Sequence, residues 1–167
     1  GGVANCTHKA VCLPVTGRAR AGGASFDLDG CFAALDHTSG LLARDTKWRW
    51  ASAAGRGLGL NLVEGFNGPV ENGIWVGGRL VPAGAAEFTF DRASPRSPWR
   101  VRTVDGRVDL TFTPEGERQE DLDLRLVVSR YVQPIGTFSG TLRPDPDGAP
   151  VAVDGLVGVT EDHVARW

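Results

Sequence analysis

Twenty-three glycines and ten prolines, spread evenly along 167 residues, cut this chain into runs of about four to eight residues, the length of strands rather than helices. Almost no window carries an apolar stripe of helical period, whereas alternation recurs. Gly57-Leu58-Gly59-Leu60-Asn61-Leu62 puts three leucines on one face. Ile74-Trp75-Val76 and Arg79-Leu80-Val81 flank Gly77-Gly78, and Val101–Val104 and Arg107–Phe112 flank Asp105-Gly106. Both pairs read as hairpins closed by a two-residue turn. Ala24–Leu28, Phe138–Leu142 and Val151–Val159 alternate as well, and Leu122–Val132 reads as one long strand. Asp145-Pro146-Asp147-Gly148 is a loop. The total is roughly nine to twelve strands, with a single helical turn expected at Asp36–Arg44. The fold class is all-β: an antiparallel barrel or curved sandwich.

The length fits one domain, 1–167, able to bury its own core. A 41% hydrophobic and 23% charged composition is that of a globular chain. With a net charge of -2 and no basic stretch, nucleic acid is excluded as the expected partner. No apolar run reaches the length of a membrane span. Three cysteines, Cys6, Cys12 and Cys31, are too few and too odd in number for a disulfide framework, and point to a reducing, cytoplasmic setting. Cys6-x-His8-x3-Cys12 matches no common zinc spacing, so no metal is expected. Gly55-Arg56-Gly57-Leu58-Gly59 lacks the lysine and the following helix of a phosphate loop, and no cofactor is expected. The chain has no methionine and opens on Gly1-Gly2, as a piece of a longer protein would.

The chemically versatile residues gather in short clusters. Asp36-His37 follows an apolar run; it is either a carboxylate orienting a general base or a turn-forming Asp. Lys47-Trp48-Arg49-Trp50 places both indoles on one strand face, either as a pocket wall or as core above a solvated basic face. Asn61, Glu71 and Asn72 interrupt or abut apolar strands, where polar groups either tie loops or meet ligand. Trp75 lies on the next strand. Gln133 and Glu161-Asp162-His163 close two further strands. Candidate catalytic residues are therefore Asp36, His37, Glu71 and Glu161. Candidate ligand-binding residues are His8, Trp48, Trp50, Asn61, Asn72, Trp75, Gln133 and His163.

An ordered series of segments carries a resemblance over nearly the whole chain. It includes His8 with Leu13-Pro14, Leu35-Asp36, Thr46–Ser52, Gly59–Leu62, Glu71-Asn72, Pro98–Val101, Val108–Pro114, Gln133–Gly140 and Glu161–Trp167. The chain resembles the C-terminal half of a bacterial family, domain of unknown function 2804. That family often has Asp-Trp where this chain has Asp36-His37, which argues against an aromatic requirement there. The resemblance implies a longer two-barrel protein with an N-terminal β half. More distantly it implies a lipocalin-like (calycin-type) barrel, similar to the group that holds carotenoid hydratases and some pericyclic cyclases, with a cleft for a greasy substrate.

Three functions follow as expectations. One is a cofactor-free hydratase, isomerase or cyclase acting on a small hydrophobic molecule. Another is a module that binds such a molecule without chemistry. The third is a structural half that packs on its N-terminal half or forms a homodimer. Convergence of the polar clusters on one enclosed pocket separates the first two from the third.

Overall fold

The computed structural model describes residues 4–167; the opening Gly1-Gly2 lies outside them. Thirteen strands and one 3-10 turn are the regular elements among the described residues. The strands are β1 (Ala4–Val15), β2 (Arg18–Ala21), β3 (Ala24–Asp27), β4 (Cys31–Leu41), β5 (Asp45–Gly55), β6 (Leu58–Gly65), β7 (Gly73–Val76), β8 (Arg79–Pro82), β9 (Ala86–Thr89), β10 (Trp99–Thr103), β11 (Val108–Asp123), β12 (Val128–Leu142) and β13 (Val151–Arg166). The 3-10 turn is Gly68–Glu71.

Nine strands form one antiparallel sheet in the order β8-β7-β6-β5-β13-β12-β11-β10-β9, and the sheet curls into a half-barrel. Alternation explains the inner face. Along β10, Trp99, Val101 and Thr103 are buried while Arg100 and Arg102 are exposed. The register then aligns Trp99 with Phe112, Phe112 with Phe138, and Phe138 with Leu156, an apolar row across four strands. Leu60, Leu62, Ile74 and Leu110 complete the fully buried interior. The curl brings β9 back onto β6, where the Phe88 amide donates to Glu64 Oε2 at 3.2 Å.

β1 and β4 form a separate two-stranded sheet laid across the outer face of β5 and β6. The fit there requires Gly59. A Cβ at that position would come within 2.7 Å of both Val11 Cγ2 and Cys12 Sγ. Beyond this hairpin β2 and β3 pair only with each other and are fully exposed.

The predicted Gly77-Gly78 and Asp105-Gly106 turns are present; Gly77 and Gly78 adopt φ of 59° and 81°, as a tight primed turn demands. Two local expectations are corrected. Asp36–Arg44 is not a helical turn, because Asp36 to Leu41 continue strand β4; the β-branched Thr38 and the small Ser39 and Gly40 pair with β1 instead. Leu122–Val132 is not one strand, because the chain reverses between Asp123 and Val128. Arg125 takes a left-handed φ of 67° and the Arg125 amide bonds Asp123 Oδ1 at 2.9 Å. Leucines at every second position imitated a strand through what is a hairpin tip.

Candidate functional site

A cavity of about 330 Å³ lies between the outer face of the sheet and the β1–β4 hairpin. Strand parity builds its floor. On β5 the small Ala51 and Ala53 turn inward and are buried in the core, so Trp48 and Trp50 turn outward and line the cavity. Cross-strand partners share a face. Trp50 faces Glu161 on β13 and Val63 on β6, and Trp48 faces His163. Phe66 and Trp167 close the sides. Phe66 tilts against Trp48 with ring centroids 5.6 Å apart, and holds a left-handed φ of 47°. For a bulky side chain that conformation costs about 1–3 kcal/mol, strain that collects at functional sites.

The roof supplies charge. Lys9 and Asp36 are partners in the β1–β4 register, and Lys9 Nζ lies 2.5 Å from Asp36 Oδ1. The same ammonium is 3.3 Å from Glu71 Oε2 and 5.9 Å from the centre of the Trp50 ring. Glu71 ends the 3-10 turn, and its side chain is only 2% exposed. Neither of its carboxylate oxygens accepts a hydrogen bond.

A second polar chain runs along the floor. Glu161 Oε1 accepts from Trp48 Nε1 at 2.8 Å, and Oε2 accepts from Gln133 Nε2 at 2.7 Å. His163 Nδ1 is 3.3 Å from Glu161 Oε1, and its Nε2 is 3.2 Å from Ser129 Oγ. The imidazole is held between Trp48 and Tyr131, at ring distances of 4.2 and 5.1 Å. A hydroxyl, an imidazole and a carboxylate therefore connect half-exposed Ser129 to the cavity wall.

Two asparagines position these groups from behind. Trp50 Nε1 donates to Asn61 Oδ1 at 2.9 Å, and Asn61 Nδ2 donates to the Glu71 carbonyl at 3.0 Å. Asn72 Oδ1 takes the Val63 amide at 2.7 Å, and its Nδ2 donates to the Gly84 carbonyl at 2.9 Å. Both side chains thus hold the turn that presents Glu71, the loop-tying alternative left open by the sequence.

This chain belongs to the DUF2804 family. The family model, described as a domain of unknown function, matches residues 3–167. No curated protein matches the chain, and no solved structure does.

Set against this member's geometry, the sequence candidates divide. Asp36, Glu71, Glu161, Trp48 and Trp50 meet at one cavity. Gln133 and His163 bond Glu161 from the side. Asp36 and His37 do not form a pair, because neighbours on a strand point to opposite faces. His37 instead opposes His8 across the hairpin, and both are exposed. Trp75 opposes Leu80 and lines a neighbouring depression of about 220 Å³, which shares Lys9 and Glu71 with the cavity. Arg49 is not on a solvated face. It reaches Glu64 at 2.7 Å and Asp162 at 3.3 Å. Sequence reasoning missed Lys9 and Phe66, and saw Trp167 only as the end of the Glu161–Trp167 cluster, not as a candidate for the site. For Lys9 the only available signal was the register of two distant strands. Among the described residues, no group of three or more His, Cys, Asp or Glu side chains is arranged to hold a metal. No helix among them is long and apolar enough to cross a membrane.

Proposed function

We propose that this domain binds a small, partly hydrophobic molecule in the cavity beneath the β1–β4 hairpin. The observation that carries the reading is convergence. Residues from both strands of the hairpin, the floor strands β5 and β13, and the 3-10 turn bring indoles and carboxylates to one space of about 330 Å³. A largely apolar pocket with a few fixed polar groups is the usual form of a small-molecule site. A lipocalin-like kinship belongs to this reading, with one difference. Lipocalin barrels hold ligand inside, whereas here the interior is filled by Trp99, Phe112 and Phe138 and the cavity lies outside the wall.

Acid-base chemistry on the bound molecule is the second reading. Glu71, with no hydrogen bond to its carboxylate, would exchange a proton with substrate, and Lys9 or Asp36 would assist. The Glu161–His163–Ser129 chain offers a path for protons from the cavity wall toward solvent. No cofactor enters this scheme. Packing on an N-terminal half or a second copy is the remaining role. It draws support from the β11–β12 tip, where Leu124 and Leu126 are 63% and 72% exposed. Three free thiols suit a reducing cytoplasm.

Native mass spectrometry of the protein isolated from its source tests the primary reading. A bound small molecule should be present and should be lost in Trp50→Ala. A source-purified protein without any adduct, and without response of its indole signals to apolar compounds, overturns it.

A further inference from the structure

We propose that the ligand of this cavity is an organic cation, an alkylated ammonium carrying an apolar body. The inference rests on the binding reading above and assigns the chemical class of what is bound.

The hydrogen-bonding inventory of the wall makes the case. All three indole N–H groups at the cavity are already committed to protein acceptors. Trp48 Nε1 bonds Glu161 Oε1, Trp50 Nε1 bonds Asn61 Oδ1, and Trp167 Nε1 bonds Thr46 Oγ1. The Thr38 hydroxyl is shared with Thr7 at 2.8 Å. Lys9 donates to Asp36 Oδ1 and has Glu71 Oε2 at 3.3 Å, so its charge is balanced by two carboxylates although its three N–H groups are not all bonded. A ligand bearing a carboxylate, phosphate or carbonyl therefore finds, apart from this charge-balanced ammonium, donors that are already bonded. What the wall offers is the opposite: rings whose N–H edges are turned into the protein, and negative charge.

The charge balance points the same way. Asp36, Glu71 and Glu161 line the cavity against the single ammonium of Lys9. Glu71 is the decisive group: it is 2% exposed, it shares the Lys9 ammonium with Asp36, and neither of its oxygens accepts a hydrogen bond. Burial strengthens its field at the cavity, since there is little water to screen it. Aromatic rings beside carboxylates form the kind of box that holds quaternary and alkylated ammonium groups, with indole the strongest ring for the purpose. The protein already uses the box on itself: Lys9 Nζ sits over the Trp50 ring at 5.9 Å.

The test uses three benzyl compounds on the intact chain: benzyltrimethylammonium, its neutral carbon isostere neopentylbenzene, and the anion phenylacetate. Binding is read from the indole 15N–1H signals of Trp48, Trp50 and Trp167. The cation should bind at least about tenfold more tightly than the isostere, the scale of a desolvated cation–π contact, and phenylacetate should not bind. Asp36→Asn, at the rim and 37% exposed, should weaken the cation several-fold and leave the isostere unchanged; Glu71→Gln should do the same if it folds. Equal binding of cation and isostere overturns the cation assignment and leaves the binding site standing. Preference for phenylacetate also overturns it. Absence of binding by all three overturns the assignment together with the reading beneath it.

Discussion

Lys9 Nζ lies 3.3 Å from Glu71 Oε2, joining the hairpin roof to the turn that ends at Glu71. The two residues are 62 positions apart in sequence, and the contact exists only because β1 is laid across the outer face of the sheet. Both side chains are mostly buried, at 14% and 2% exposure, and among the described residues the ammonium is the one charge partner of a carboxylate that water hardly solvates.

Lys9→Met should therefore destabilise the fold by about 3 kcal/mol, since removing one member of a buried pair strands the other. Lys9→Met combined with Glu71→Gln should lose clearly less than the sum of the single changes. Urea denaturation of the four proteins measures this, and a single-variant loss under about 0.5 kcal/mol, the scale of an exposed pair, would reject the coupling.

Asn72→Ala should cost about 1–3 kcal/mol, the penalty of leaving buried backbone groups unbonded. It strips the Val63 amide and the Gly84 carbonyl of their partner at once. Thermal unfolding gives the loss. Amide exchange should locate it, with Val63 becoming less protected while Leu110 and Phe112, across the core, stay protected.

Gly59→Ala should lift the roof without disturbing the interior. The new methyl meets Val11 and Cys12, and forcing such an overlap costs about 1–3 kcal/mol. Tryptophan emission should shift to the red as Trp48 and Trp50 gain water. Adding Val11→Ala should reverse part of the shift; emission identical to that of the parent would place the hairpin elsewhere.

Stability in acid should depend on Asp105. Burial pushes its carboxyl upward, but the Thr103 hydroxyl, the amides of Arg107 and Gly84, and the Arg107 guanidinium together hold it below the ordinary value of 3.8. A carboxyl lowered in the folded state contributes stability that is present above the unfolded value and is lost as pH falls through the folded one. Asp105→Asn should accordingly be less stable than the parent at neutral pH and lose less on acidification below about pH 3.8. Parallel pH–stability curves for the two proteins would exclude this role.

Legibility in the sequence followed the range of the interaction. The Gly77-Gly78 and Asp105-Gly106 hairpins are set by a few adjacent residues, and the inner leucines of β6 by simple alternation; these were readable. Leu122 to Val128 failed because alternating leucines carry no mark of the turn inserted among them, except that Arg125 must accept a positive φ. At the site, Trp48 and Trp50 were readable as sharing a face, but not which face. The core side of β5 is marked by the alanines at 51 and 53, which join Phe138 and Leu156 in the packed interior. The Asp36-His37 pairing failed for the reason that makes strands useful, since adjacent residues there serve opposite sides. Lys9 stayed hidden because its meaning depends on the β1–β4 register and on Glu71 arriving from a third element.

Along β5 every second residue belongs to a different task. Ala51 and Ala53 answer to the packed interior, and Trp48 and Trp50 to the roofed cavity on the other side of the same backbone. Mutational drift can thus act on one parity while selection for folding holds the other fixed. Substitutions at positions 48, 50 and 161 can reshape the cavity lining without opening a void in the core. Among relatives, the outward positions should vary independently of the core, and the inward set should vary mainly in concert, one volume exchanged for another across the row from Trp99 to Leu156.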